Sequence, residues 1–597
     1  MSAEWFSQRD RRILFGVAFV ISLLQLFYLL QFLKTPFASF PSLDAAVYDR
    51  WAQSILKNGI LGEAPFHVAP LYAYFLALFY QVFGRNFIAL AILQSCLFLL
   101  NGLLLARLAY RIGGMGAATS SLLLYGFSAP FAFYAVRPET ATLALTLILI
   151  ALEFLLASRP FAGGFFLGFG ALVRPEILLF APIAAYWTFR VNRRNAFVVL
   201  FACVLGFLPA TLHNFVSNGR FLAISSSGGE VFYQGNAGKA AGTISRLPGT
   251  SGNPMLQEAE SREVARQAAG RKLEPDEVQN YWFRRAASEI LERPAHWLQI
   301  IARKARFLVS GRDVPLSYSI DLEARETTPL LRIFFVTTPL LISLAFLAPA
   351  HVLNPRPALL LFLFLAAQVS ILLLFFIATR LKLPFQAALI PFAATGLVAL
   401  PEAWRRHRGR LMVAVVLFCA LTLTDRSLVI PSADSYNDLA QAYLASGKRD
   451  EAVHAIRRAV SESPVRVDLW INMGIILDET GNPGAEDSFR KALILEPNNA
   501  AAWNFLGLYL KKQGDEPNAT AAFKRSVLLQ PDYWQAKFNL AQILARKGEK
   551  RAALELLESG LVNHPHREMH LLAASLATDL GDHARAGRHR QAIRQQE

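Results

Sequence analysis

The sequence predicts an all-α protein, in which a bundle of membrane-spanning helices precedes an α-solenoid of short repeats. Two observations support this fold class. Apolar segments of about 20 residues recur between residues 13 and 430, and this is the length that an α-helix needs to cross the hydrocarbon core of a bilayer. Beyond residue 430 these segments are replaced by a pattern that repeats every 33 or 34 residues.

Composition agrees with a membrane protein. The 597 residues are 54% hydrophobic and only 17% charged, and they include 45 Phe and 9 Trp, which are common where side chains face lipid. The net charge of +16 would suit a nucleic-acid-binding protein, but the sequence has no nucleic-acid-binding motif. We therefore predict contacts with membrane lipid and no nucleic-acid partner.

The apolar segments predict about eleven spans with a cytoplasmic N-terminus. Residues 65–84 are placed on the outer membrane surface, because Arg107 and Arg111 would otherwise face outside. Residues 161–189 are interpreted as two short helices joined by an outer turn at Arg174-Pro175-Glu176, since proline breaks helices. The other predicted spans are 13–33, 86–110, 117–135, 140–157, 196–213, 329–347, 358–378, 385–400 and 411–430.

This topology predicts a domain organisation. Residues 1–430 form the membrane domain, and residues 214–328 within it form a long polar loop on the outer side. A basic cytoplasmic loop at residues 405–410 precedes the last span, so the repeat domain, residues 433–597, is expected outside the cytoplasm. We predict a multi-pass protein of a bacterial inner membrane.

The repeats carry two regularly spaced residue types. The glycines are Gly447, Gly481, Gly514 and Gly548, and the prolines are Pro464, Pro497, Pro531 and Pro565. One repeat contains Trp503, Leu506, Gly507, Leu510, Ala519, Phe523 and Pro531, which resembles the tetratricopeptide pattern. Residues after Pro565 are predicted to form a partial capping repeat. Such arrays offer a concave surface for a peptide or protein, so the repeats predict a binding module without identifying its partner.

Polar residues from several separate loops are predicted to share the outer face. They are Asp44, Tyr48, His67, Arg137, Glu139, Arg174, Glu176, Arg380 and Lys382. Basic residues at 380 and 382 run against the positive-inside rule and therefore suggest an anion nearby. A bound lipid phosphate and ordinary phospholipid headgroups explain them equally well.

Each of these residues also has a structural interpretation. Asp44 can cap the helix that follows it, because aspartate is a favoured capping residue. Glu139 and Glu176 each follow an Arg-Pro pair and can cap or pair locally, and His67 can pack at the membrane interface. Sequence alone leaves both interpretations open.

The order of several short motifs resembles the GT-C membrane glycosyltransferases. The motifs are DAAVY at 44–48, APLYAYFLALFYQVFG at 69–84, VRPE at 136–139 and again at 173–176, YQGNAGKAAG at 233–242, and RLKLP at 380–384. The similar groups are the protein O-mannosyltransferases and the aminoarabinose transferases that modify lipid A. The C-terminal repeats are also similar to those of animal transmembrane mannosyltransferases. This resemblance implies transfer of a sugar from a polyprenyl-phosphate donor to an acceptor, such as a protein, on the non-cytoplasmic face.

The resemblance also implies roles for individual residues. Asp44 matches the acid of the first outer loop and is expected to be the general base. Glu139 is expected to position the acceptor or to bind a divalent metal ion together with Asp44. The O-mannosyltransferases often have an Asp-Glu pair where this chain has Asp44 alone. The residues expected to bind substrate, including the lipid phosphate, are Tyr48, His67, Arg137, Arg174, Glu176, Arg380 and Lys382.

Two other functions fit the sequence. One is an O-antigen-ligase-like transferase, which uses a pyrophosphate-linked donor and a late outer loop. The other is a non-enzymatic membrane-anchored scaffold that acts through its tetratricopeptide repeats.

Overall fold

The structure is a computed structural model that describes residues 8–41, 43–59, 62, 64–250, 256–316, 318–426, 432–561 and 566–594. All regular secondary structure in these ranges is helical, which confirms the predicted all-α fold class. The chain divides into two compact units, Met1–Ile430 and Pro431–Glu597.

The N-terminal unit contains nineteen α-helices among its described residues. They are α1 (Gln8–Phe32), α2 (Asp44–Asn58), α3 (Leu71–Phe83), α4 (Phe87–Gly126), α5 (Ala129–Tyr134), α6 (Thr140–Leu156), α7 (Pro160–Ala171), α8 (Ala181–Phe189), α9 (Arg193–Asn218), α10 (Gly228–Asn236), α11 (Gln257–Ala269), α12 (Pro275–Glu292), α13 (Pro294–Val309), α14 (Ile320–Glu326), α15 (Thr338–Ala345), α16 (Pro355–Leu374), α17 (Leu383–Val398), α18 (Leu400–Arg406) and α19 (Arg408–Arg426). Short 3₁₀ helices cover Pro36–Ala38, Pro175–Phe180, Pro329–Ile333, Ala348–Ala350 and Thr379–Leu381.

Several of these helices have the length and composition of membrane spans. Within the described ranges, α1, α4, α9 and α16 qualify alone, and two bent helix pairs raise the number to six. Four further apolar helices are shorter, with 10–17 residues. Large apolar side chains on the long helices are exposed, among them Phe15, Phe197 and Phe362, as expected where helices face lipid. The full count of about eleven spans stays a prediction.

Helix α4 is a folded hairpin rather than one rod. Gly114 interrupts it with φ 74°, a left-handed value that glycine adopts without strain. The ring of Phe98 stacks on Tyr125 with centroids 4.7 Å apart, although a straight helix would separate these residues by about 40 Å. The two arms of α4 are therefore antiparallel, and they cover most of the two segments predicted at 86–110 and 117–135.

The packing of α7 against α9 shows which loops lie at the same end of the N-terminal unit. A Cβ atom at Gly164 would lie 2.2 Å from the Val199 carbonyl oxygen, and one at Gly168 would lie 1.9 Å from that of Cys203. The two backbones thus touch directly, and the helices run in the same direction. The turn at Arg174 therefore lies at the same end as the last residues of α9.

The described residues of the C-terminal unit form five helix pairs. They are α20 (Ala433–Ala445) with α21 (Arg449–Glu462), α22 (Val467–Thr480) with α23 (Ala485–Leu495), α24 (Ala500–Lys512) with α25 (Glu516–Leu529), α26 (Trp534–Arg546) with α27 (Lys550–Leu561), and α28 (Arg567–Asp579) with α29 (His583–Arg594). The predicted partial capping repeat is wrong, since the last pair is a complete repeat. Its turn glycine, Gly581, has φ 75°, like the four glycines before it. Pro565 lies outside the described residues.

Candidate functional site

Arg380 brings together the two acids that the sequence singled out. Its Nη1 donates a hydrogen bond to Glu139 Oε2 at 2.8 Å, and its Nη2 donates to Asp44 Oδ2. Arg380 belongs to the 3₁₀ helix Thr379–Leu381, Asp44 is the first residue of α2, and Glu139 directly precedes α6. Three segments that are remote in sequence thus meet in one ion cluster, which we call the Arg380 cluster.

The Arg380 cluster is closed on one side and open on the other. The side chain of Glu139 is 1% exposed and that of Arg380 is 11% exposed, whereas that of Asp44 is 35% exposed. Burial raises the pKa of Glu139, and the neighbouring Arg380 opposes this shift. Glu139 Oε1 has no hydrogen-bond partner among the described residues, so a buried carboxylate oxygen is left to accept one.

Helix capping does not account for either acid. Leu43 is the N-cap residue of α2, and the Asp44 carboxylate bonds to Arg380. Glu139 occupies the N-cap position of α6 but makes no side-chain capping bond. Leu43 has φ 51°, an uncommon value for a non-glycine residue, and such backbone strain is concentrated at functional sites.

Arg174 lies beside the Arg380 cluster and makes two long contacts with protein oxygen atoms. Its side chain is 7% exposed, its Nη1 lies 3.9 Å from Glu176 Oε1, and its Nη2 donates to the Arg380 carbonyl oxygen at 3.4 Å. Burial lowers the pKa of Arg174, because the charged form is poorly solvated there. Both contacts within the described residues are long, so the guanidinium group of Arg174 can pair with an anion such as phosphate.

Tyr48 is one helical turn beyond Asp44 and faces the same cluster. The charges of Asp44, Arg380 and Glu139 all act on its hydroxyl group, and burial raises its pKa. The structure thus brings together six of the predicted site residues: Asp44, Tyr48, Glu139, Arg174, Glu176 and Arg380.

The other three predicted site residues lie elsewhere. Lys382 is 1% exposed, and its Nζ donates to the carbonyl oxygens of Phe307 and Ser310 at 3.1 and 2.8 Å. These bonds hold the C-terminal end of α13. The lysine therefore does not join Arg380, although only one residue separates them.

Arg137 forms a separate, closed ion pair. It is 0% exposed, its Nη2 donates to Glu323 Oε2, and its Nη1 donates to Tyr28 Oη at 2.9 Å. The Phe133 ring covers it, with 3.5 Å between the guanidinium carbon and the ring centroid. This arginine ties α14 to α1.

His67 lies against the start of α10. Its Nδ1 is 3.3 Å from Ser226 Oγ, and its Nε2 is 3.6 Å from Glu230 Oε2. The backbone N–H groups of Ser226 and Ser227 donate to the carbonyl oxygens of Phe66 and His67, so this contact fixes the loop before α3.

Asp313 was missed by sequence reasoning. Its Oδ1 accepts a hydrogen bond from Thr379 Oγ1 at 2.8 Å, and its Oδ2 accepts one from the Ile320 N–H at 2.7 Å. Burial raises the pKa of Asp313 to about 6. Asp313 thus connects the turn that carries Arg380 with the start of α14. No sequence signal distinguishes it from the other acids of the long loop.

The geometry leaves the predicted metal site as a hypothesis. Within the ranges that the structure describes, no group of three or more His, Cys, Asp or Glu side chains is placed to hold a metal ion. Arg380 already pairs with both Asp44 and Glu139, so an ion bound between these carboxylates would have to replace its guanidinium group.

Comparison with known proteins identifies the repeats. The tetratricopeptide repeat family model matches residues 437–485, 481–532, 506–565 and 538–593. A tetratricopeptide repeat-containing protein of Caenorhabditis elegans, trd-1, is 23% identical over 209 residues, which are 30% of this chain and 27% of that protein. The peroxisomal targeting signal receptor of Candida albicans is 33% identical over 118 residues, or 19% of each chain.

A human transferase is also similar over part of its length. Protein O-mannosyl-transferase TMTC3 is 27% identical over 139 residues, which are 22% of this chain and 15% of that protein. The matches thus span less than a third of each of these relatives.

Similar solved structures include MamA, which is 20% identical, covers 26% of this chain and 92% of its own, and has a TM-score of 0.24. YrrB, a tetratricopeptide repeat protein with a peptide-binding site, is 20% identical, covers 27% of this chain and 84% of its own, and has a TM-score of 0.23. On the family match and the five helix pairs, the C-terminal unit is a tetratricopeptide repeat array.

Proposed function

We propose that this protein is a membrane glycosyltransferase that moves a sugar from a polyprenyl-phosphate donor to an acceptor hydroxyl group, with protein as the favoured acceptor. The observation that carries this proposal is the Arg380 cluster, in which a half-open pair of carboxylates lies beside Arg174, a buried arginine with spare donors. The partial similarity to a protein O-mannosyl-transferase supports the same reaction class.

The reaction needs a base and a cationic group. The Arg380 cluster supplies the base, and Arg174 beside it supplies the cationic group. The acceptor oxygen attacks the anomeric carbon, the bond from that carbon to the phosphate oxygen breaks, and the lipid phosphate leaves with the bonding electrons. Asp44 is the most exposed acid of the cluster and takes the hydroxyl proton. Arg174 pairs with the phosphate, whose negative charge grows as the bond breaks. Glu139 is buried and holds Arg380 in place, and Arg380 in turn positions Asp44 towards the acceptor.

The repeat array supplies a second part of the function. Tetratricopeptide repeats generally bind peptides or proteins, so we assign to the C-terminal unit the recruitment of a protein acceptor or partner. Placement of this unit outside the cytoplasm, in a bacterial inner membrane, belongs to the same proposal. A reporter fused after residue 594 is expected to be active only outside the cytoplasm.

Replacement of the proposed base tests the reaction. Asp44→Asn keeps the size of the side chain and lets Arg380 remain paired with Glu139, so the fold should persist while transfer falls by about 100-fold or more. Mass spectrometry of envelope glycoproteins from cells with the wild-type or variant gene measures this loss whichever sugar is transferred. Asp276→Asn is the matched control, because Asp276 lies on α12 and pairs with Arg220. Unchanged glycans in the Asp44 variant would remove Asp44 from the mechanism.

A non-enzymatic scaffold is the second candidate, favoured by the array of five helix pairs and by the pairing of both carboxylates with Arg380. A scaffold would tolerate Asp44→Asn and fail when the repeats are deleted. An O-antigen-ligase-like transferase would be distinguished by its use of a pyrophosphate-linked donor.

A further inference from the structure

A continuous aromatic surface begins next to the carboxylates. Asp44, Tyr48 and Trp51 are spaced i, i+4 and i+7 on α2, so they lie along one face of that helix. The rings of Tyr48 and Trp51 are nearly parallel, at 18°, with centroids 6.5 Å apart. Both side chains are partly exposed. The aromatic surface therefore extends along α2 away from Asp44.

Other aromatic side chains support this surface from behind. Tyr72 is fully buried and meets the Tyr48 ring edge-on at 5.3 Å. Phe66 lies 5.6 Å from the Trp51 ring and is itself fixed, because its backbone N–H donates to Asn214 Oδ1 at 2.8 Å. The orientation of both exposed rings is thus set by packing.

Helix α2 is also held in place by contacts that do not involve Trp51. Asp49, on the buried side of the helix, accepts a hydrogen bond from Tyr80 Oη at 2.7 Å and one from Arg85 Nη2 at 2.9 Å. Ala45 and Ala52 are completely buried against neighbouring helices. Tyr48 and Trp51 pack against the core on one side and are partly exposed on the other, so the exposed side can contact a ligand.

A pyranose ring matches what this surface offers. Its C–H groups form an apolar face that can lie on an aromatic ring, whose own face carries negative charge. Its hydroxyl groups, and a phosphate at the anomeric carbon, need the polar groups that converge at Asp44, Glu139 and Arg174. An acyl or prenyl chain would use the aromatic rings but would leave these polar groups without partners.

We propose that Tyr48 and Trp51 form the subsite that binds the pyranose ring of the transferred sugar, stacked on the two aromatic faces with its anomeric end towards the Arg380 cluster. The orientation of the sugar in this subsite rests on the proposed function. Binding of the saccharide itself can be measured without any transfer.

The test uses the full chain in lipid nanodiscs with methyl pyranosides of mannose, glucose and galactose as probes. Saturation-transfer NMR should detect contact with at least one of them in the wild-type protein. Trp51→Leu should reduce this signal about fivefold or more, whereas Trp51→Tyr should retain most of it because an aromatic face remains. Trp404→Leu is the matched control, because Trp404 is 66% exposed on α18. No saccharide contact in the wild type, or equal contact in Trp51→Leu, would overturn the proposal.

A second measurement separates this inference from the proposed function. Asp44→Asn should still bind the methyl pyranoside while transfer is lost. In a transfer assay, Trp51→Leu should raise the donor KM about tenfold and change kcat less than about threefold, since stacking acts on substrate and transition state alike. If Asp44→Asn transfers normally while binding still depends on Trp51, the proposed mechanism fails and the saccharide subsite stands. If Trp51→Leu transfers and binds as the wild type does, the subsite fails and the mechanism stands.

Discussion

Two buried arginines of the N-terminal unit, Arg137 and Arg380, make an instructive comparison. Both pair with acids from remote segments, and both were predicted to lie on the same outer face. Arg137 is 0% exposed, pairs with Glu323, and is enclosed by the rings of Phe32 and Phe133. Arg380 instead bridges two acids, and the side chain of one, Asp44, is 35% exposed.

The exposure of the acidic partner indicates the role of each ion pair. A closed pair has no room for a substrate, and its partners hold each other in place. The Arg380 cluster has an accessible carboxylate, that of Asp44, so it can accept a hydrogen bond from a ligand. We therefore expect changes at Arg137 to act on stability and changes at Arg380 to act on chemistry.

Removal of the acid from the closed pair should have the largest effect on stability. Glu323→Gln leaves the Arg137 charge buried without its partner, at a cost of about 3–5 kcal/mol. Thermal unfolding of the detergent-solubilised protein, monitored by size-exclusion chromatography, measures this loss of stability. Asp44→Asn provides the contrast and should stay within about 1 kcal/mol of the wild type, because Asp44 is partly exposed. Equal destabilisation by the two substitutions would contradict the comparison.

Asp313, which links the regions of Arg380 and Arg137, should make the stability of the fold depend on pH. Asp313 has a folded-state pKa of about 6, raised from 3.8, so the folded protein holds this proton more tightly than the unfolded chain. Protonated Asp313 therefore adds about 3 kcal/mol to the free energy of unfolding below about pH 4, and this contribution is lost as the pH rises to about 6. Asp313→Asn should remove this slope between about pH 4 and pH 6.5 in unfolding experiments. An unaltered slope in the variant would assign the titration to other groups.

The smallest expected effect is on lipid-phosphate binding by Arg174, beside the Arg380 cluster. Arg174→Gln should weaken binding of polyprenyl phosphate alone about tenfold, because a charge-assisted hydrogen bond is lost, while stability changes little. Native mass spectrometry of the protein with this lipid measures the loss. Arg159→Gln, at the exposed start of α7, is the control. If both variants bind equally, Arg174 does not hold the phosphate.

The sequence predicted the parts of the site that depend on helix ends. Proline at Arg174-Pro175-Glu176 and at Arg137-Pro138-Glu139 ends a helix, so both motifs had to lie in turns. The regular period of the sequence and the spacing of its glycines predicted the repeats, because a glycine in the left-handed conformation ends the first helix of each pair. Only the length of the last repeat was misjudged, because its turn glycine falls outside the four counted.

Which polar groups pair with one another could not be predicted from topology. The predicted topology assigned Arg137, Arg380 and Lys382 to one face, but it says nothing about where a long side chain bends. Lys382 turns to the end of α13, and Arg137 turns to Glu323. Glu323 and Asp313 come from the long loop, and their partners are set by tertiary packing alone.

The reversal of α4 at Gly114 has a consequence for how the protein is made. The two arms touch through residues close in sequence, such as Phe98 and Tyr125. Such a hairpin can close soon after it leaves the ribosome, before the segments that carry Arg380 have been synthesised. The N-terminal unit would then assemble its early helices first, and the ion cluster would form only when the late turn at Thr379–Leu381 arrives.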